Sequence, residues 1–233
     1  RQVSRGLRGV MLEIEWDEQV KAVSVTAHGK VFHAGGDLKE FHEAGEGLPK
    51  LASGMLTDFH GGIYKMNRMP KPFVAGVNGA AGGAGLSIVS AFDLVVAGES
   101  AQFTMAYTRA GVTPDGTSTY FVARHIGVRR MLDLTLTNRV LSAREAEEWG
   151  LVNRVVPDSE VDAATAELAQ SLADGPAWAL GHAKQIVYAG FNSSLEEAGE
   201  VEGAMIAEAM ATHDGKEGIA AFVEKRSPTF TGE

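Results

Sequence analysis

Cysteine is absent from the 233-residue chain. That excludes disulfides, thiolate metal sites and a cysteine nucleophile. No apolar run approaches the ~18 residues that a membrane-crossing helix needs. No signal peptide is visible either, so a cytoplasmic enzyme is the expected setting. Basic charge is scarce: 21 Lys and Arg against 30 Asp and Glu give a net charge of −9, and no Lys/Arg run forms a basic stripe. Nucleic acid and anionic membrane surfaces are poor partners for such a chain. The seven His are scattered without H-E-x-x-H or similar spacing, so no metal site is expected. Small and apolar residues are what the chain has in plenty. With 28 Gly and 45% hydrophobic residues it can build a substantial core, as one large domain or one domain with an appendage.

Those small residues concentrate between Lys71 and Asp93, KPFVAGVNGAAGGAGLSIVSAFD. Phe73 to Val77 reads as a short buried strand, and Asn78-Gly79 punctuates it. Ala80-Ala81-Gly82-Gly83-Ala84-Gly85 is almost without side chains. Leu86, Ile88, Val89 and Phe92 then follow at helical spacing. A bare turn ahead of a helix start lets an oxygen carrying negative charge lie against unpaired N–H groups. Close helix–strand packing without a ligand would produce the same pattern. Better-known glycine motifs do not fit: G-x-G-x-x-G from Gly83 fails at Ile88, G-x-S-x-G fails at Val89, and no G-x-x-x-x-G-K-[ST] occurs.

A second strand–turn–helix lies upstream, at Val31 to Phe41. Gly35-Gly36 forms the turn, and Asp37 with Glu40 three residues on has the spacing of a capping box. The Gly35 and Gly36 N–H groups are thereby left at a helix start. Arg5 to Ile14 has an amphipathic helix pattern, and Val20 to Thr26 alternates like a strand. Glu43 to Leu51 is polar and Gly-rich, which predicts a mobile loop. Leu56 to Met69 predicts a helix carrying His60, ended by Pro70 and Pro72. Leu94–Ala97 and Ala101–Met105 predict strands, and Pro114-Asp115-Gly116 a turn. Helices are expected over Tyr120–Ile126 and Arg129–Thr135, with strands at Asn138–Leu141 and Leu151–Val156. Ser142 and Glu145 form a capping-box pair. From Asp158 onward the chain reads as four helices. Repeated strand–turn–helix units followed by helices alone predict an α/β core with a helical C-terminal part. The spacing of the strands allows either a flat sheet or a spiral stack.

Four motifs in order make the chain resemble the enoyl-CoA hydratase/isomerase (crotonase) family. They are Phe32-His33-Ala34-Gly35-Gly36-Asp37-Leu38, Val77 to Leu86, Pro114-Asp115-Gly116, and Ala143 to Val152 with Glu145, Ala146, Trp149 and Gly150. The resemblance runs from about Ser4 to Phe230. It implies an α/β fold, a crotonase-like spiral of β-β-α units with a C-terminal helical trimerisation region. The division it implies is an acyl-CoA-binding core over 1–175 and a helical oligomerisation region over 176–233. The family's first strand and hairpin would lie ahead of Arg1. Homotrimers, or dimers of trimers, are the implied assembly. The implied substrate is an acyl-coenzyme A thioester, with coenzyme A part of the substrate and no prosthetic group or metal.

By motif position the family's two oxyanion-holding N–H groups fall on Gly36 and Ala84. Ala34, Asp37, Leu38, Lys39, Gly83 and Pro114 join them as substrate-binding positions. The two glutamates with which hydratases of the family handle water fall on Ser87 and Tyr107, neither of which is a carboxylate. Asp115 is the carboxylate that remains, at the position where isomerases of the family keep an acidic base. The reaction this implies is movement of an enoyl-CoA double bond. The family's 4-chlorobenzoyl-CoA dehalogenases place an Asp nucleophile at the Asp115 position and a His base at the His60 position. Their ring-clamping aromatics correspond to Gly36 and Tyr107, one absent and one changed. Dehalogenation is therefore the second reading, with hydration or non-catalytic acyl-CoA binding behind it. Tyr107 shapes the acyl pocket, donates a hydrogen bond or only packs. The expected cations for coenzyme A phosphates are Lys39, Lys184, Lys225 and Arg226.

Overall fold

The computed structural model describes residues 2–232. Helix α1 (Gln2–Trp16) leads to β1 (Val23–Val25) and β2 (Val31–His33), and α2 (Leu38–Ala44) and α3 (Leu48–Arg68) follow. The next turn of chain is β3 (Phe73–Val77), β4 (Ala80–Gly82) and α4 (Ala84–Ser90). Then come β5 (Leu94–Gly98), β6 (Gln102–Thr104), α5 (Ser118–Ile126) and α6 (Val128–Thr137). The core closes with β7 (Leu141–Ser142), α7 (Ala143–Trp149) and β8 (Arg154–Val156). Four helices end the chain: α8 (Val161–Ala173), α9 (Ala177–Gly190), α10 (Leu195–Ala211) and α11 (His213–Glu224).

The strands sort into two four-stranded sheets, β1-β3-β5-β8 and β2-β4-β6-β7. Through β6 each passage of the chain gives one strand to the first sheet and the next to the second, and β7 and β8 take the reverse order, so the chain climbs as a spiral. Of the two arrangements the strand spacing allowed, this is the spiral. The pairings are parallel except β6 with β7. Parallel strands covered on both sides carry continuous apolar runs. β3, FVAGV, is buried at all five positions. Helix α8 lies directly on it: a Cβ on Gly76 would stand 2.5 Å from Thr165 Oγ1. Residues from Met11 to Val155 form one continuous core.

The structure corrects several local expectations. Glu43–Leu51 is not a loop but the end of α2, a 3₁₀ turn at Gly45–Gly47, and the start of α3. Gly45 at φ +51 ends α2, and a proline in the first turn of α3 restarts the helix at once. A proline there loses no intrahelical hydrogen bond, and Leu51 buries itself in the core. The strand expected at Asn138–Leu141 begins only at Leu141, because Asn138 is the left-handed C-cap of α6.

Lys184 is not available to a phosphate. Its Nζ donates to the Met66 and Lys71 carbonyls at 2.7 and 2.9 Å and pairs with Asp93 Oδ2 at 2.8 Å. Asp93 also accepts from Phe73 N and from the Tyr188 hydroxyl. The cluster ties α9 to the spiral. Arg226 is likewise engaged, by Glu217 and Glu224.

Candidate active site

Two glycine turns face each other across the sheets. After β2 the chain turns through Ala34-Gly35-Gly36 into Asp37, whose Oδ1 accepts the Lys39 and Glu40 N–H groups at 3.0 and 3.1 Å and caps α2. Gly35 stands at φ +100, where side chains are strained, and its N–H donates to His33 Nδ1 at 3.0 Å. Burial pushes the His33 pKa down, which keeps that ring neutral and able to accept. After β4 the chain turns at Gly83, φ +53, into α4. Ala84 is the first residue of α4, so its N–H has no acceptor within the helix. A Cβ on Gly35 would lie 3.6 Å from the Ala84 nitrogen. A Cβ on Gly85 would collide with the His33 carbonyl. The second helix therefore starts against the end of β2 because residue 85 is glycine. These contacts bring Gly36 and Ala84 to neighbouring turns.

A third segment, Met105 to Ser118, closes the site. Among the described residues four non-glycine residues adopt positive φ, and two of them, Ala106 (+53) and Thr117 (+63), flank Tyr107 and Asp115. Such conformations cost energy and persist only where the surroundings fix them. Here the fixing contacts are explicit. The Tyr107 hydroxyl lies 2.5 Å from Asp115 Oδ1. Ser87 Oγ lies 2.7 Å from the Tyr107 hydroxyl, 3.0 Å from the Asp115 carbonyl and 3.2 Å from the Gly83 carbonyl. Ser118 Oγ donates to the Asp115 carbonyl at 2.9 Å. Gly116 N donates to His60 Nε2 at 3.1 Å. Ser87 is fully buried. Burial, and then the bond to Asp115, pushes the Tyr107 hydroxyl far above its ordinary pKa. It stays protonated and donates.

The structure thus brings Gly83, Ser87, Tyr107, Asp115 and His60 together beside the Gly36 and Ala84 turns. Three participants are not among the expected site residues: His33, which the sequence marks only as part of a motif, Ser118, and Phe59, whose ring would meet a Cβ on Gly116 at 2.8 Å. Leu38 is 63% exposed just after the first turn. Lys39 is exposed and forms a long surface ion pair with Glu43 at 3.9 Å. A cavity of about 550 Å³ opens between α1 and the start of α3, lined among others by Leu51, Met55 and Lys50. It is not lined by Gly36, Ala84 or Asp115. Leu51 and Met55 share a helical face with Phe59, so one wall of the cavity runs toward the Asp115 turn. No group of three potential metal ligands occurs among the described residues, and none of their helices is long and apolar enough to cross a membrane.

Comparison with known proteins agrees with this fold. The sequence model of the enoyl-CoA hydratase/isomerase family matches residues 1–233. The 1,2-epoxyphenylacetyl-CoA isomerase of Escherichia coli K12 is 33% identical, covering 95% of this chain and 85% of the relative. 4-Chlorobenzoyl coenzyme A dehalogenase-1 of an Arthrobacter species is 36% identical over 82% of this chain and 70% of its own. Among solved structures, an enoyl-CoA hydratase from Bacillus anthracis superimposes with a TM-score of 0.93 at 30% identity, covering 100% of this chain and 89% of that one.

Proposed function

The chain belongs to the enoyl-CoA hydratase/isomerase family, whose substrates are coenzyme A thioesters, and from that premise we propose that it is an enoyl-CoA double-bond isomerase with Asp115 as its proton-transfer base. One observation carries the reading. Asp115 is the carboxylate beside the two donor turns, and Ser87 and Tyr107 stand at the positions of the hydratase glutamates. Among the described residues its carboxylate takes one hydrogen bond, from Tyr107 to Oδ1. Oδ2 is left free to act.

In the proposed reaction the thioester oxygen rests between the Gly36 and Ala84 N–H groups. Asp115 takes a proton from the acyl α-carbon. The C–H bond breaks, an O–H bond forms on Asp115, and the electron pair moves to the thioester oxygen as a dienolate. Asp115 then returns the proton to the γ-carbon, and a 3-enoyl thioester becomes its conjugated 2-enoyl isomer. Preorganised donors of this kind are worth a few kcal/mol each to the developing oxyanion. Lys39, exposed two residues after Asp37 and only loosely paired with Glu43, is the cation we assign to the coenzyme phosphates. Exposed apolar residues on the C-terminal helices, Phe191, Leu195 and Phe222 among them, support self-association as a trimer or dimer of trimers.

Dehalogenase-like chemistry is the second reading, favoured by the pairing of His60 with the Asp115 turn and by the Arthrobacter relative. The geometry weighs against it. His60 Nε2 already accepts the Gly116 N–H, so that lone pair is not free to activate water. The test is turnover of 3-hexenoyl-CoA, followed by ultraviolet absorbance of the conjugated product. Asp115→Asn should lower the rate by about 10²–10⁴-fold. Halide release from 4-chlorobenzoyl-CoA, lost in His60→Gln, would instead establish the second reading. Unchanged activity in Asp115→Asn would sink both.

A further inference from the structure

A base that shuttles a proton must be held in place in two states. As a carboxylate Asp115 only accepts hydrogen bonds, and once protonated it also carries a donor that needs an acceptor. The proton it takes sits on the free Oδ2, so a donor fixed on Oδ1 suits both states.

The three short contacts of Ser87 bear on this. A hydroxyl has one proton, so Ser87 Oγ cannot donate at once to Tyr107, to the Asp115 carbonyl and to the Gly83 carbonyl. With Asp115 charged, the arrangement that satisfies every group runs Ser87 to Tyr107 to Asp115 Oδ1. With Asp115 protonated on Oδ2, Oδ1 is still an acceptor, so the same direction serves both states. Neither carbonyl depends on Ser87 Oγ for its own satisfaction. Gly83 O also accepts the Ser87 N–H at 3.0 Å, and Asp115 O also accepts Ser118 Oγ at 2.9 Å. Ser87 can therefore spend its one proton on Tyr107, and the chain ends on Oδ1.

We propose that Ser87 and Tyr107 are positioning residues that form a directed hydrogen-bond chain onto Asp115 Oδ1, holding the carboxyl group in one geometry while Oδ2 takes and returns the proton. This rests on the reading of Asp115 as the base. It also assigns a joint role to the two positions where the family's hydratases carry glutamates. Ser87 then acts only through Tyr107, which gives the proposal a signature that packing lacks.

The experiment is a mutant cycle of Tyr107→Phe, Ser87→Ala and the double variant, with 3-hexenoyl-CoA as probe, Asp115→Asn as control and thermal midpoints recorded for all. Each single variant should lower kcat by on the order of ten- to a hundred-fold, the cost of leaving a buried polar group unpaired, with KM changed less than about twofold. Ser87→Ala should have no further effect on kcat in the Tyr107→Phe background, because coupled residues are not additive. Multiplying effects, or an unchanged kcat in Ser87→Ala, would overturn the chain. If Asp115→Asn abolishes turnover while the cycle fails, only the chain is lost. If Asp115→Asn retains full turnover, or wild type does not convert the probe, the base reading fails and the chain fails with it.

Discussion

Two aspartates sit at comparable points of the spiral and are treated in opposite ways. Asp93, just before β5, is saturated. Lys184 Nζ and Phe73 N donate to Oδ2, both at 2.8 Å, and the Tyr188 hydroxyl donates to Oδ1 at 3.1 Å. Lys184 spends its remaining protons on two carbonyls. Burial pushes Asp93 up and Lys184 down, and their mutual attraction opposes both shifts. Three donors around the carboxylate and three acceptors around the ammonium keep the pair ionised. Asp115 takes one bond, from a neutral hydroxyl, and has an oxygen to spare. A carboxylate with both oxygens claimed is a fastener. One held firmly through its backbone, with an oxygen left over, can do chemistry.

That contrast can be broken by separating stability from turnover. Lys184→Met leaves Asp93 buried without its cation and should cost about 3–5 kcal/mol of stability, read as a lower denaturation midpoint at unchanged slope. Adding Asp93→Asn should recover part of the loss, since removing both partners is cheaper than stranding one. Asp115→Asn should do the reverse, losing turnover with its midpoint close to wild type. A large stability loss in Asp115→Asn would mean that both aspartates are structural.

A smaller effect is expected where the two donor turns meet. Gly85→Ala drives a methyl into the His33 carbonyl, which is backbone and cannot swing away. Overpacking of this kind costs about 1–3 kcal/mol, and here it would also spread the Gly36 and Ala84 turns and lower activity. Gly6→Ala in exposed α1, where a Cβ meets nothing within 4 Å, should instead stabilise by roughly 0.5–1 kcal/mol. Equal responses at the two glycines would show that the turns do not need their close approach.

The same contrast marks what the sequence could disclose. The glycine turns were legible because their signals are local: a short apolar strand, two or three small residues, then helical spacing. The capping boxes at Ser142–Glu145 and Ser194–Glu197 form within single helix turns, and Ser142 with Glu145 is readable from three-residue spacing. Asp115 stood out only by resemblance, since a Pro-Asp-Gly turn on its own is just a turn. The Ser87–Tyr107–Asp115 chain was not legible, because it joins residues 20 and 8 positions apart through a fold in which three separate segments converge. Lys184 was misread for the same reason. A lone lysine on a helix resembles a surface charge, and its acceptors lie more than a hundred residues upstream at Met66 and Lys71. The α2–α3 connection was misread because Gly and Pro signal a break in the helix, and the break here spans only one 3₁₀ turn.

The smallest expected effect concerns a third kind of carboxylate, one fastened at the surface. Glu217 in α11 accepts two guanidinium bonds from Arg226, at 2.6 and 2.8 Å, and the Thr229 N–H at 2.8 Å. Arg226, and then the Thr229 N–H, hold its pKa down to about 2, against an ordinary value of 4.5. A depressed carboxylate stabilises the folded arrangement above its ordinary pKa and loses that contribution as pH falls through the folded value. The window is therefore between about 4.5 and 2. Asp214 follows in the same direction: burial alone would raise it, but bonds from Thr231 N–H, His213 and Gly232 N–H outweigh that. Acidification through this window should loosen the segment after α11 while the spiral core stays folded. The readout is amide hydrogen exchange at Thr229 and Thr231 against Val74 in β3. Glu217→Gln should loosen Thr229 already at neutral pH, and salt should weaken the Arg226 contribution, as it does for exposed pairs. Uniform exchange across segment and core would show that the tail is held by packing rather than by these carboxylates.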